Sequence, residues 1–345
     1  MSAYVRGPLS KGPHAEHDAT NVTGNRTQDD TSFNEIESEA PALSPEHHDE
    51  IVNGSAVSAV VAAARGYETL HDTPENRARL KELGFVRDAY DRDAAWPILL
   101  VPVRRATGEV ITHQAKPAVP RVVSKGRRER PVKYETPRGS RVHLDVPEFT
   151  RERLADLDEP LWFTEGAKKT DSLVTQEKAA IGLAGVFCWR RSLGTLGDWE
   201  DVPLRGRRTA VVCFDADARD KAEVRAAIRR FGLWLRSKGV EKVLYVIVPA
   251  SVNGTDTKGV DDYFAAGGTL EALREAASDS PPDDGPADGQ FTDTMLAEAA
   301  VAEVLDGRFR YAEGLGWLQW TGAVWQGSSD RHVSQEIHDL FAGLR

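Results

Sequence analysis

A chain of 345 residues with 40% apolar content can bury a sizeable core in about two domains. The formal net charge of −10 excludes a uniformly basic nucleic-acid binder, so charge has to be followed segment by segment. The two cysteines, Cys188 and Cys213, form no CxxC pair, which excludes a structural zinc finger within this sequence and argues against a disulfide framework.

The opening residues, MSAYVRGPLSKG, lack the apolar segment of a signal peptide, and the longest mostly apolar run, residues 56 to 64, is too short to cross a bilayer. A cytoplasmic protein with no membrane partner is expected. Residues 1 to 50 are rich in Asp, Glu, Asn, Thr, Ser and His without apolar periodicity and read as a disordered tail. On such a backbone, His14-x-x-His17 and His47-His48 read as solvated polar residues rather than metal ligands. Residues 51 to 64 are expected to form a short helix. Residues 74 to 84, PENRARLKELG, predict a helix opened by proline and closed by glycine.

From 85 to 146 the runs PILLVPV, EVITHQAK, RVVSK, PVKYETP and SRVHLDV alternate and are broken by Gly and Pro, the pattern of a small antiparallel β unit. Between 104 and 141, eleven Lys or Arg stand against Glu109, Glu129 and Glu135, a local charge of +8. Arg121, Lys125, Arg127, Arg128 and Arg130 concentrate this charge and are candidate contacts to a phosphate backbone. A solvated loop around GRRER is the plainer alternative.

Residues 160 to 276 change character. PLWFTEG reads as a strand, AKKTDSLVTQE as a helix, KAAIGLAGV and RRTAVVCFDADA as strands, DKAEVRAAIRRFGLWLRSKG as a helix and EKVLYVIVPA as a last strand. Strands alternating with helices predict an α/β domain with a parallel sheet, whose ligands bind at the strand carboxyl ends. Trp162 and Trp234 fall in the apolar patterns and are expected in the core. Residues 278 to 290, SDSPPDDGPADGQ, read as a linker. Residues 291 to 345 add an amphipathic helix, an aromatic hairpin GWLQWTGAVWQG and a terminal helix, too little for a complete domain. Trp317, Trp320 and Trp325 are read there as local core in preference to a base-stacking surface. The expected division is thus a tail (1–50), a helical lead-in with a basic β-rich unit (51–150), an α/β domain (151–277), a linker (278–290) and an incomplete region (291–345).

Acidic residues fall on the expected strand ends. Asp215 and Asp217 close VVCFDAD; in an extended strand positions i and i+2 point the same way, about 6–7 Å apart. Hard divalent cations such as Mg²⁺ favour a few carboxylates and relieve their mutual repulsion. Glu165 closes the first strand just before Gly166, where a helix N-terminus favours a phosphate. Lys168 and Lys169, in the first turn, are candidate phosphate contacts, and Asp261-Asp262 in KGVDDY can join the same rim. Taken singly, each feature has a plain alternative, such as a helix cap or a solvated turn.

Together, the set TEG…FDADA…GVDDY resembles a toprim domain, the catalytic module of bacterial-type primases, topoisomerases and some nucleases. More closely, EGAKKTDSL, AIGLAGVFCWR, VVCFDADARDK and KGVDDYFAAGG resemble an uncharacterised toprim-like domain found in primase or primase-helicase proteins of phages, plasmids and integrative elements. This likeness covers roughly residues 80 to 275, and the tail, AEVLDGRFRYAEGLGWLQWTGAVWQ, is similar to the entry into the helicase part of such proteins. The resemblance implies Glu165 as general acid/base, Asp215 and Asp217 as Mg²⁺ ligands (Mn²⁺ being an alternative), and Asp261 or Asp262 as a further acidic position. It implies single-stranded DNA and nucleotides as partners, with a helicase or ATPase in trans or in a missing C-terminal part, because no GxxxxGK[ST] occurs here. One departure stands out: Lys169 occupies a position where many bacterial primases carry an acid, which implies fewer metal ions or altered chemistry. Primer synthesis is the leading expectation. A toprim-type nuclease and a non-catalytic module that binds single-stranded DNA or a helicase are the alternatives, and a dehalogenase-like phosphatase is disfavoured because Ala218-Arg219 follow the aspartates.

Overall fold

A computed structural model describes residues 43–125, 128–190, 195–219, 221–282 and 300–342. Order begins earlier than composition suggests. Ser44 accepts a hydrogen bond from the His47 backbone, Pro45 occupies the first turn, and helix α1 (Pro45–Val52) follows. His47, expected to be solvated, is buried, with Nδ1 2.8 Å from Thr69 Oγ1. The rest of the expected tail, residues 1–42, and the pair His14/His17 lie outside the described residues. The single helix expected over 51–64 is two: Ser58 caps α2 (Ala59–Arg65), which stops at Gly66 with φ +79°.

Strands β1 (Glu68–Leu70), β2 (Ile98–Arg104) and β3 (Val110–Pro117) form an antiparallel sheet in that order. Helices α3 (Pro74–Glu82) and α4 (Arg87–Tyr90) cross between β1 and β2. A separate hairpin pairs β4 (Arg121–Lys125) with β5 (Arg128–Val132). Most of the GRRER segment is therefore strand rather than loop, because its alternation continues the pairing begun by RVVSK. SRVHLDV, expected as a strand, makes a single bridge, Asp145 to Gly182.

After α5 (Glu148–Arg153) come β6 (Leu161–Glu165), α6 (Ala167–Thr175), β7 (Ala179–Leu183), β8 (Thr209–Phe214), α7 (Ala222–Ser237) and β9 (Lys242–Ile247). These strands form the expected parallel sheet in the order β7-β6-β8-β9. A two-strand turn, β10 (Ser251–Val252) with β11 (Thr255–Asp256), leads to α8 (Val260–Ala265) and α9 (Leu270–Glu275). The sheet is buried on both faces, so its strands are near-continuously apolar. Alternate side chains serve different cores. Leu161, Phe163, Val212, Phe214 and Val243 meet α7, where Phe163, Trp189, Trp199, Phe231 and Trp234 pack with ring centroids 4.6–6.0 Å apart. Trp162, Ala180, Val211, Cys213 and Val246 face α6, α8 and α9 and share one core with Leu99 and Val101 of β2. The antiparallel unit is therefore continuous with the parallel sheet through this shared core.

Arg65 fastens the two units. Fully buried, its guanidinium lies 2.5 Å from Asp171 Oδ1 in α6 and 2.6 Å from Asp145 Oδ1 ahead of α5. The Tyr67 hydroxyl donates to the other Asp171 oxygen at 2.7 Å, and the Arg104 backbone N–H donates to Asp145. A third unit, β12 (Phe309–Ala312), β13 (Gly316–Trp320) and β14 (Trp325–Gly327) with α10 (Asp330–Ala342), has its own small core of Phe309, Trp317 and Val333. Only Trp317 joins that core. Strand alternation and the Trp320–Trp325 register put those two tryptophans on the opposite face, with Arg310 4.8 Å above the Trp325 ring.

Removing one partner of a buried ion pair strands the others. Arg65→Met is expected to cost about 3–5 kcal/mol of unfolding free energy. Urea denaturation checks it, and a loss no larger than that of an exposed Arg205→Met would show that the network is not a fastening.

Candidate active site

The chain leaves β6 for β7 on one side and later enters β8 on the other. The connections therefore diverge between β6 and β8, and a crevice opens at their carboxyl ends, where open α/β sheets bind ligands. Phe163 pairs with Val212, which puts Glu165, the last residue of β6, level with the end of β8 and next to Asp215. Gly166 turns the chain with φ +89° into α6. A Cβ there would meet nothing, so the glycine is required by backbone conformation rather than by space.

One residue corrects the expected geometry. The strand does not run through both aspartates. β8 ends at Phe214, the Ala216 N–H donates to Lys258 O, the Ala218 N–H donates to Asp215 O, and a 3₁₀ turn covers Ala216–Arg219. The same-side argument for Asp215 and Asp217 therefore fails; the Asp217 side chain lies outside the described residues.

Asp215 is buried, and its partner is a cation from the same domain. Lys169 Nζ lies 2.6 Å from Asp215 Oδ1, and Lys258 Nζ lies 4.0 Å from Oδ2. Burial disfavours the Lys169 ammonium, but Asp215, then Asp261 and Glu165, outweigh it and hold its pKa above the ordinary lysine value. The lysine stem reaches Asp215 across Gly259. A Cβ at 259 would stand 2.3 Å from Lys169 Cε and 2.4 Å from Asp261 Oδ1.

The Asp261-Asp262 pair divides its work. Asp261 is 5% exposed and Oδ1 has no hydrogen-bond partner. Burial raises its pKa, and Lys169 only partly opposes this. Asp262 Oδ2 accepts from the backbone N–H groups of Lys258 and Gly259 and so caps α8. Lys168 is engaged too: its Nζ is 3.1 Å from Glu50 Oε1, whose other oxygen binds Lys116 at 2.5 Å. Half-buried Tyr134, just beyond the basic hairpin, feels Glu50, Asp261 and Lys169, and burial pushes its pKa up.

The hairpin itself lies in part outside the description. Arg121 makes a two-pronged pair with Glu135 at 2.6 and 3.0 Å, and Arg130 is exposed. Lys125 and Arg128 belong to β4 and β5, but their side chains, and Arg127 altogether, lie outside the described residues. Beside Gly166, a cleft of about 210 Å³ is lined by Thr112, Ser140, His143, Ala167 and Gly182.

Hard oxygen donors at two adjoining strand ends, with an orphaned buried Asp261 oxygen beside them, fit a hard divalent ion by donor chemistry. Among the described residues, however, no three His, Cys, Asp or Glu side chains converge as a ready ligand set. Lys169 already stands against Asp215. The lysine's reach and the role of Gly259 were not visible in sequence; the only signal is a small residue placed beside two acids in KGVDD.

Fold and site thus define an α/β protein with a carboxylate-lined crevice at the switch point of its parallel sheet. Residues 152–271 match the family model described as a domain of unknown function (DUF3854). An uncharacterised protein of Picosynechococcus sp. is 29% identical, over 41% of this chain and 17% of the relative. Among solved structures, the DnaG primase catalytic domain bound to ssDNA is similar with a TM-score of 0.47 at 17% identity, covering 79% of this chain and 87% of that one. The zinc-binding and RNA polymerase domains of Aquifex aeolicus primase give 0.45 at 16%, covering 78% and 62%. The RNA polymerase domain of Mycobacterium tuberculosis primase DnaG in complex with double-stranded DNA gives 0.43 at 16%, covering 83% and 86%. The chain therefore spans less than a fifth of the curated relative and under two thirds of the Aquifex chain.

The two neighbouring aspartates should separate in stability measurements made with a chelator present. Asp262→Ala loses a helix cap and is expected to cost about 0.5–2 kcal/mol. Asp261→Asn is expected to stabilise at neutral pH. The folded pKa of Asp261 lies above its ordinary 3.8, so its charge penalises folding as pH rises through the raised value, and the penalty vanishes below the ordinary one. Melting curves from pH 3.5 to 8 check this; an Asn variant equally stable at every pH, or less stable at pH 8, contradicts it.

Proposed function

We propose that this chain carries out Mg²⁺-dependent nucleotidyl transfer on DNA, most specifically primer synthesis during replication of a mobile genetic element. One observation carries the reading: Glu165 ends β6 and buried Asp215 directly follows the adjacent parallel strand β8 at the switch point, with Asp261 beside them. The motif resemblance of these same residues adds to it.

In this reading Glu165 takes the proton of the attacking 3′-hydroxyl, a role that typically contributes ~10²–10⁴-fold. Asp215 and Asp261, with Asp217 as a further candidate, hold the divalent ion. The ion, when bound, supplies charge neutralisation for the phosphates in an in-line displacement. Lys169 and Lys258 add positive charge on the same rim, while Lys168 must exchange Glu50 for substrate if it is to touch a phosphate. Lys125, Arg128 and Arg130 of the hairpin, with Arg127 from the same basic stretch of sequence, supply contacts to the phosphate backbone of a single strand. Nucleotides are the second substrate, and a helicase or ATPase acts in trans or from a further part of the protein.

A second reading, a non-catalytic module that binds single-stranded DNA or a helicase, is favoured by the ion pair that already holds Asp215. The test is extension from labelled nucleotides on single-stranded DNA with Mg²⁺ or Mn²⁺, with the template labelled separately. Metal-dependent products that fall at least about 100-fold in Glu165→Gln and Asp215→Asn support the proposal. Undiminished products in both variants refute the assignment. Template shortening makes the protein a nuclease, and DNA binding with neither product selects the accessory module.

A further inference from the structure

Three acids of this crevice, Asp215, Asp261 and Glu165, share one ammonium. Lys169 Nζ sits 2.6 Å from Asp215, and its charge also acts on Asp261 and is acted on by Glu165. The position is built rather than incidental. The Lys169 side chain is four-fifths buried, with 19% exposed. Its stem passes Gly259 so closely that even a methyl group there would collide with Cε, and the same missing methyl leaves room for Asp261 Oδ1. That oxygen is buried and lacks a hydrogen-bond partner among the described residues, although the neighbouring ammonium neutralises part of the local charge.

We propose that Lys169 is a built-in cation of the acidic centre, seated where a divalent ion would otherwise neutralise Asp215, and that it lowers the centre's affinity for divalent ions. The inference deepens the nucleotidyl-transfer reading and rests on it for the identity of the centre. An ammonium ion-paired at 2.6 Å neutralises much of one carboxylate's charge and repels an incoming dication a few ångströms away. Glu165, the outer Asp215 oxygen and the orphaned Asp261 oxygen would be the groups to hold such an ion, drawn together from positions that do not converge among the described residues. A centre of this kind retains its fold without metal and takes up an ion weakly enough for substrate phosphates to complete the site. Lys169 is thus a positioning residue that sets the metal's occupancy.

The experiment measures Mn²⁺ binding by electron paramagnetic resonance and melting temperature with and without Mn²⁺, on the full chain. The variants are Lys169→Met, Asp215→Asn and the double variant. Lys169→Met is expected to bind Mn²⁺ at least about tenfold tighter than wild type, because a unit charge a few ångströms from the ion is removed. It is expected to melt lower than wild type in chelator and to recover when Mn²⁺ is added. The double variant should bind no tighter than Asp215→Asn. Unchanged Mn²⁺ affinity in Lys169→Met overturns the proposal, as does a variant that Mn²⁺ cannot stabilise or fold. The two claims fail separately. Metal-dependent synthesis by wild type with unchanged affinity in Lys169→Met sinks the lysine's role alone. Tighter binding in the variant with no synthesis by wild type sinks the nucleotidyl-transfer reading alone.

Discussion

The buried guanidinium of Arg65 is the constraint on which the rest depends. It joins α2, the approach to α5 and α6, and the desolvation of three charged groups is offset only while all three stay in register. Asp171 and Lys169 are two residues apart in α6, about 200° around the helix. With Asp171 fixed against Arg65, the helix can turn only one way, and the opposite side carries Lys169 to Asp215. The clamp that binds the antiparallel unit to the parallel sheet therefore also aims the lysine at the acidic centre. A rotation of α6 by one residue would break both contacts at once.

Around that clamp the crevice is assembled from backbone economy. Gly166 supplies the left-handed turn that ends β6 at Glu165, and Gly259 supplies the gap through which a lysine stem and an aspartate oxygen pass. Asp262 accepts from the Lys258 and Gly259 N–H groups at the mouth of α8 and leaves Asp261 without such a duty. The result is a site with a surplus of buried acid on one rim and cations threaded through it. Such a surplus lowers the stability of the fold at neutral pH and is retained where a charge must later be met by substrate or metal.

The parallel sheet was legible because its signals agreed: apolar runs of strand length, an amphipathic partner helix and glycines at the turns. Glu165 at a strand end, and Asp215 just beyond one, could be read for the same reason. What escaped depends on tertiary contact. PEHHDE looks polar and unstructured, yet a Ser-Pro cap and a hydrogen bond between His47 and Thr69 order it. GRRER left a loop open as an alternative because charge hides its alternation opposite RVVSK. The i, i+2 spacing of Asp215 and Asp217 reads as one strand, but strand pairing stops at Phe214 and the Ala216 N–H donates to Lys258 O instead. Arg65 gave no local sign of burial, since its partners lie 80 and 106 residues away.

The central claim is that the ends of β6 and β8 form one cation centre. It is tested most directly by anomalous diffraction from crystals of the wild-type chain soaked at saturating Mn²⁺. The account predicts one peak bonded to the carboxylates of Glu165, Asp215 and Asp261, with Lys169 still beside the Asp215 oxygen that it pairs with here. Manganese bound only elsewhere, or no peak with the Lys169–Asp215 pair intact, would contradict it.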